Sequence, residues 1–159
     1  MFPAQFIAAV LLTICSTAAC GQWMFVGESH DKAARYSIDT SRISSYESMI
    51  WVWVLQDFYE LQTSGWGQYR SIELLEEVNC GTLEETWWDY VYYAEPRARG
   101  KVIEADSFPG YGPMQAKPDS IGEKVIIAAC DEFIRTYKPK AIRPASLRAR
   151  VLAMSHVTP

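Results

Sequence analysis

Histidine is nearly missing from this chain of 159 residues: His30 and His156 are the only two. A zinc site needs several nitrogen or sulfur ligands converging, and a body with one His and few Cys does not supply them, so no metal is expected. There is no C-x-x-C pair and no G-x-S-x-G. His30, in the run Gly27-Glu28-Ser29-His30-Asp31, has no partner from which to build a serine or cysteine hydrolase. The chain is therefore expected to have no catalytic residue and no cofactor, and not to be an enzyme. Basic charge is also scarce where it matters. Six of the fifteen Lys and Arg lie after residue 134, leaving nine bases against nineteen acids in residues 20–134. Phosphate binding needs a basic surface, so nucleic acid is excluded as the main partner. No apolar run approaches the roughly 20 residues that cross a bilayer.

The largely apolar stretch that does exist, Phe6 to Cys15, gives way to the small residues Ser16 to Ala19. That is the pattern of a secretory signal over residues 1–19, although its start lacks Lys and Arg. The small residues end at Cys20. The run Thr17-Ala18-Ala19-Cys20 is similar to a bacterial lipobox, with Thr17 where Leu is usual, so Cys20 is a candidate for lipidation and a membrane anchor. Export places Cys80 and Cys130 where disulfides persist. Pairing these two leaves Cys20 for the lipid. The alternative is ordinary cleavage after Ala19, with Cys20 free or bonded to another chain. A bridge closing a loop of about 50 residues would stabilise by roughly 4 kcal/mol in the chain-entropy model.

The chain is organised around Met49 to Tyr59, which is β-branched and aromatic and contains neither Gly nor Pro. Alternation puts Trp51, Trp53 and Leu55 on one face and Ile50, Val52 and Val54 on the other, so this strand needs cover on both sides. Further strands are expected at Trp23–Gly27, Arg35–Asp39, Tyr69–Asn79, Thr86–Tyr93 and Lys101–Ala105. In Tyr69–Asn79, Ile72, Leu74 and Val78 face inward. Ser71, Glu73, Leu75 and Glu77 are expected to face solvent. Glu76, Glu77, Glu84 and Glu85 read as a solvated surface, though only geometry can select a carboxylate pair with separated pKa values. Phe108 to Pro118 holds three Pro and two Gly and reads as an irregular crossing loop. Ser120-Ile121-Gly122-Glu123 has the form of a capping box and predicts a helix to about Tyr137. Its inward stripe is expected to be Ile121, Val125, Ala129 or Cys130, and Phe133. The predicted fold is α+β: a small antiparallel sheet of five or six strands packed on one face by a C-terminal helix.

Aromatics are plentiful, with 6 Trp, 9 Tyr and 6 Phe. One helix shields one sheet face, so aromatics on the other would need a partner, a ligand or water. Trp66, Tyr90, Tyr92, Phe108 and Tyr111 are the candidate contacts for a partner. The tail from residue 138 to 159 is basic and is expected to be a solvated, flexible terminus, with attraction to anionic lipid or to an acidic neighbour as the alternative.

The early Trp23, Tyr36-Ser37-Ile38-Asp39, the Trp-rich run from Trp51 to Asp57, Ser71, Asn79-Cys80, Gly100 and Cys130 in a closing helix occur in the order and spacing of a known family. Over Trp23 to Tyr137 the chain resembles the surface-adhesin protein E family of Gram-negative bacteria. It departs in having Asn79 where members usually carry Asp. The resemblance implies an exported, often lipid-anchored protein of the periplasm, outer membrane or cell surface, whose named relatives bind host matrix or serum proteins. A domain over residues 20–137 is expected, engaging a host or envelope protein, or itself, through the helix-free sheet face and aromatic loops. An envelope assembly factor and a carrier with an aromatic pocket for a small ligand are the alternatives.

Overall fold

The structure, a computed structural model, describes residues 22–137, apart from the side chains of Phe108 and Pro109. The expected signal segment, Cys20 and the basic tail fall outside these residues. Seven strands form a single antiparallel sheet: β1 (Trp23–Glu28), β2 (Ala34–Asp39), β3 (Ser44–Tyr46), β4 (Met49–Ser64), β5 (Gly67–Asn79), β6 (Glu84–Glu95) and β7 (Arg99–Gln115). The order is β1-β2-β4-β5-β6-β7, and the short β3 pairs with the start of β4. One helix, α1 (Ile121–Thr136), closes the fold.

The two faces of β4 divide as its alternation predicts. Ile50, Val52 and Val54 join Ile38, Leu74 and Val78 beneath Val125, Ile126 and Ala129 of α1. The helix packs chiefly on β1, β2 and β4. Beyond it, the same face is covered by rings: Tyr69 meets Tyr92 edge-on at 4.6 Å, and Tyr92 meets Tyr90 at 5.2 Å. Such geometries suit the quadrupoles of aromatic rings and extend the core where the helix stops. Ser120 caps α1 by accepting from the Glu123 N–H, while the Glu123 carboxylate accepts from the Asp119 N–H. The predicted stripe omits Ile126, which is fully buried. Cys80, in the β5–β6 turn, is bonded to Cys130 of α1, with Cα atoms 6.0 Å apart.

Three expectations fail. Phe108 to Gln115 is the second half of β7, paired with β6, and not a crossing loop. β7 lies at the sheet edge, where a Pro without an N–H breaks no ladder on its open side, and four register shifts absorb the rest. β7 contains the predicted Lys101–Ala105 and extends it, and the short β3 makes seven strands among the described residues where five or six were expected. Second, Ser71 and Glu73, expected to face solvent, are buried at the floor of that otherwise open face of β5. Third, Glu76 is buried in the core face, with Glu85 partly buried beside it, so the expected solvated surface loses half of its carboxylates.

Candidate functional site

Across the helix-free face, strand register builds a floor from Phe25, Ser37, Leu55 and Glu73, which are cross-strand partners in series. Ser37 is small and Leu55 is packed down, so this row sits lower than its ends. The result is an open cleft of about 830 Å³. Trp23 and Phe25 of β1 form one rim, and the β6–β7 turn at Arg97 to Arg99 forms the other.

Arg42 holds the middle. Its guanidinium lies 2.5 Å from Asp39 Oδ2 and 3.5 Å from Glu73 Oε1, and it stacks over the rings of Trp23 and Trp53 at 5.5 and 5.0 Å. Asp39 is fully buried, and burial alone would raise its pKa. Hydrogen bonds from Ser41 and Arg42 outweigh that and hold the carboxyl below the usual range. Glu73 is 8% exposed. Burial pushes it up, Arg42 opposes this, and Tyr93 donates a long hydrogen bond of 3.5 Å.

The far rim is strained by design of its sequence. Arg97 and Ala98 both adopt left-handed backbone, with φ of 63° and 51°, although neither is Gly. Each such residue costs about 1–2 kcal/mol unless its surroundings hold it. They do so here. The Arg97 N–H donates to Asp57 Oδ1 at 2.5 Å, and the Ala98 N–H donates to the buried Ser71 Oγ at 3.1 Å. Ser71 in turn donates to the Glu95 carbonyl at 2.6 Å.

The predicted contact residues do not converge. Trp66 tops the β4–β5 turn at 67% exposure, and Tyr111 projects from β7 near Trp87 at 60% exposure. Tyr90 and Tyr92 are half-buried on the helix side of the sheet, away from the cleft. A bulge in β6 explains the separation: the register slips between Asp89 and Trp87, which sends Trp88 to the helix-free face against Trp51. Alternation alone put Trp88, Tyr90 and Tyr92 together. The side chain of Phe108 lies outside the described set. The cleft residues Arg42, Asp39, Glu73, Tyr93 and Arg97 were not foreseen. The only sequence trace of them is the acid-base spacing within Asp39-Thr40-Ser41-Arg42, in a segment recognised as a turn whose side chains bond their own backbone.

Together these elements define a one-helix α+β module with an open aromatic and charged sheet face. The family model for surface-adhesin protein E matches residues 23–131, and the chain belongs to that family. It is accordingly an adhesin-like protein. A solved structure of Haemophilus influenzae protein E shares the fold, with a TM-score of 0.52 at 12% identity over 72% of this chain and 89% of that one. A second crystal form of that protein has a TM-score of 0.46 at 13% identity, over 69% of this chain and 88% of that one. No curated protein matches the chain.

Proposed function

We propose that this is a noncatalytic, exported binding protein that engages a macromolecular partner, from a host or from its own envelope, through the cleft on its helix-free face. Residues 1–19 would direct export, Cys20 would carry a lipid, and residues 20–137 would form the binding domain, with 138–159 as a basic extension. The observation that carries this reading is the uncovered cleft, bounded by Trp23 and Phe25 on one side and a held, strained turn on the other. Phe25 is 52% exposed, the kind of aromatic anchor that interfaces bury. Trp66 and Tyr111 supply a second set of exposed rings. The proteins named in the comparisons, a surface adhesin family and Haemophilus protein E, support the reading by class.

The test is capture by the immobilised domain of matrix proteins and of solubilised envelope proteins, read side by side. Phe25→Asp should abolish retention. Ile134→Asp, on the outer side of α1, should leave it intact. Retention that survives Phe25→Asp and is lost with Ile134→Asp would move the interface to the helix and defeat the proposal. A cleft of this volume is also the size of a small-ligand site, which favours a carrier as the second reading. A chromophoric or mass-detectable ligand that co-purifies with the domain and is lost in Phe25→Asp would support it.

A further inference from the structure

Cationic side chains are concentrated in one place on this acidic body. Of the nine Lys and Arg between residues 20 and 134, four line the cleft: Arg35, Arg42, Arg97 and Arg99. Arg42 is consumed by Asp39 and Glu73. The other three are exposed and form no ion pair among the described residues. Arg35 is stacked over Phe25 at 4.8 Å, which fixes its guanidinium beside an open ring. Arg97 and Arg99 flank the left-handed turn, whose N–H groups are tied to Asp57 and Ser71 beneath. Both rims thus present arginine on a backbone or ring that is already held. An ordinary solvated surface does not need such restraint.

We infer that the cleft is a receptor for an acidic peptide segment of the partner protein. Arg35 on one rim and Arg97 with Arg99 on the other would take its carboxylates, and Phe25, Trp23 and Tyr93 would cover an adjacent apolar or aromatic side chain. This rests on the function proposed above and specifies its partner by chemistry. Carboxylates suit the planar guanidinium fork, which binds them bidentately. A polyphosphate or nucleic acid is disfavoured: Asp57 lies in the same cleft, and the surrounding acidic body repels a long polyanion. A peptide places few charges, locally, where the arginines stand.

The probe is a fluorescein-labelled synthetic peptide alternating Glu and Phe, followed by anisotropy at low and at physiological salt. Wild-type protein should bind it saturably, and the same peptide with Lys for Glu should not bind. Arg97→Gln with Arg99→Gln, which leaves the turn's N–H contacts to Asp57 and Ser71 available, should weaken binding by about tenfold or more. Arg35→Gln should weaken it by several-fold. Lys124→Gln, a base on α1, should have no effect. The inference fails if the double variant binds as wild type does, if the Lys peptide binds equally, or if inorganic polyphosphate binds as tightly as the Glu peptide. If the domain captures a protein in a Phe25-dependent way while the Glu peptide neither binds nor competes, the inference fails and the proposed function stands. If Phe25-dependent capture is absent as well, the proposed function fails with it.

Discussion

The two faces of β5 each hide a pair of carboxylates, three residues apart along one strand, and the sheet treats them in opposite ways. On the open face, Glu73 and Asp39 share Arg42, which supplies charge and hydrogen bonds to both. On the core face, Glu76 is 4% exposed, its Oε2 has no hydrogen-bond partner among the described residues, and its neighbour is another acid, Glu85. Burial is the main force raising both core carboxyls, and the nearness of Glu85 pushes Glu76 further up. Burial and the neighbouring acid thus both favour the neutral form of Glu76. A cation can follow a carboxylate into a face that stays open to water, whereas on the core face no cationic side chain pairs with Glu76 among the described residues. The first solution keeps charge available at a surface. The second removes it from the core.

The comparison breaks most visibly if Arg42 is lost. Arg42→Met would leave Asp39 ionised, buried and without its cation, and Glu73 with only a long bond from Tyr93. Stranding buried carboxylates costs about 3–5 kcal/mol, and the 40% exposure of the Arg42 side chain brings the expected loss down to about 2–3 kcal/mol. Urea unfolding at neutral pH measures it. Because Asp39 is held below its ordinary value of 3.8, the stability it contributes is present above that pH and fades as pH falls through the lower, folded value. The deficit of the variant should therefore shrink under strong acid. A loss under about 0.5 kcal/mol at neutral pH would mean that the cleft's charges are solvated and independent, as exposed pairs commonly are.

That contrast was half legible in the chain itself. The faces of β4, the cap at Ser120, the helix and the bridge between Cys80 and Cys130 follow from local patterns: period-two alternation, a Ser-x-x-Glu cap and cysteine parity. The strand faces, the cap and the helix each need only a few neighbouring residues to be read, and the bridge, whose ends lie 50 residues apart, needs only the count of cysteines. The Arg42 cluster joins residues 39, 42 and 73, and whether 73 reaches 42 depends on the register of three strands. The sheet side of Trp88 depends on one bulge, and the length of β7 on its being an edge. Register, bulges and edges arise from the assembled sheet, so the cleft could not be read from periodicity, and of the core carboxyl pair alternation places only Glu76, in line with Ile72, Leu74 and Val78, while Glu85 reaches it through the register of β6. Glu76 looked solvated because its neighbours Glu77, Glu84 and Glu85 are acids too. Its place in the inward alternation of β5 tells it apart from Glu77.

The core pair is sharpened by removing its charge altogether. Glu76→Gln keeps the shape and a donor toward Glu85 but cannot ionise. The folded carboxyls titrate above the ordinary value of 4.5, so the folded protein holds more protons than the unfolded chain between that pH and the raised value. Stability from this pair is consequently complete at acid pH and falls as pH rises, the reverse of the Asp39 dependence. The Gln variant should escape that fall, gaining about 1–2 kcal/mol over wild type near pH 8 and little near pH 4. Chemical denaturation across that range, with both proteins side by side, gives the difference directly. A pH-independent difference would show that the Glu76 carboxyl is not held above its ordinary range.

The smallest expected effect tests whether the rim of the open face holds backbone strain. Ala98 sits at φ 51° in the β6–β7 turn, where Gly would have no Cβ to crowd the backbone. Ala98→Gly removes that crowding but also loosens the unfolded chain, so the net gain should be about 0.5–1 kcal/mol, seen as a rise in Tm of a few degrees. The Ala98 N–H bond to Ser71 Oγ survives the change. A gain tells us that the turn is held left-handed against its own preference by Asp57 and Ser71, which is how two arginines come to be fixed above the cleft. A loss tells us that Ala98 rests there comfortably, and the contrast between the two faces would then rest on the carboxylates alone.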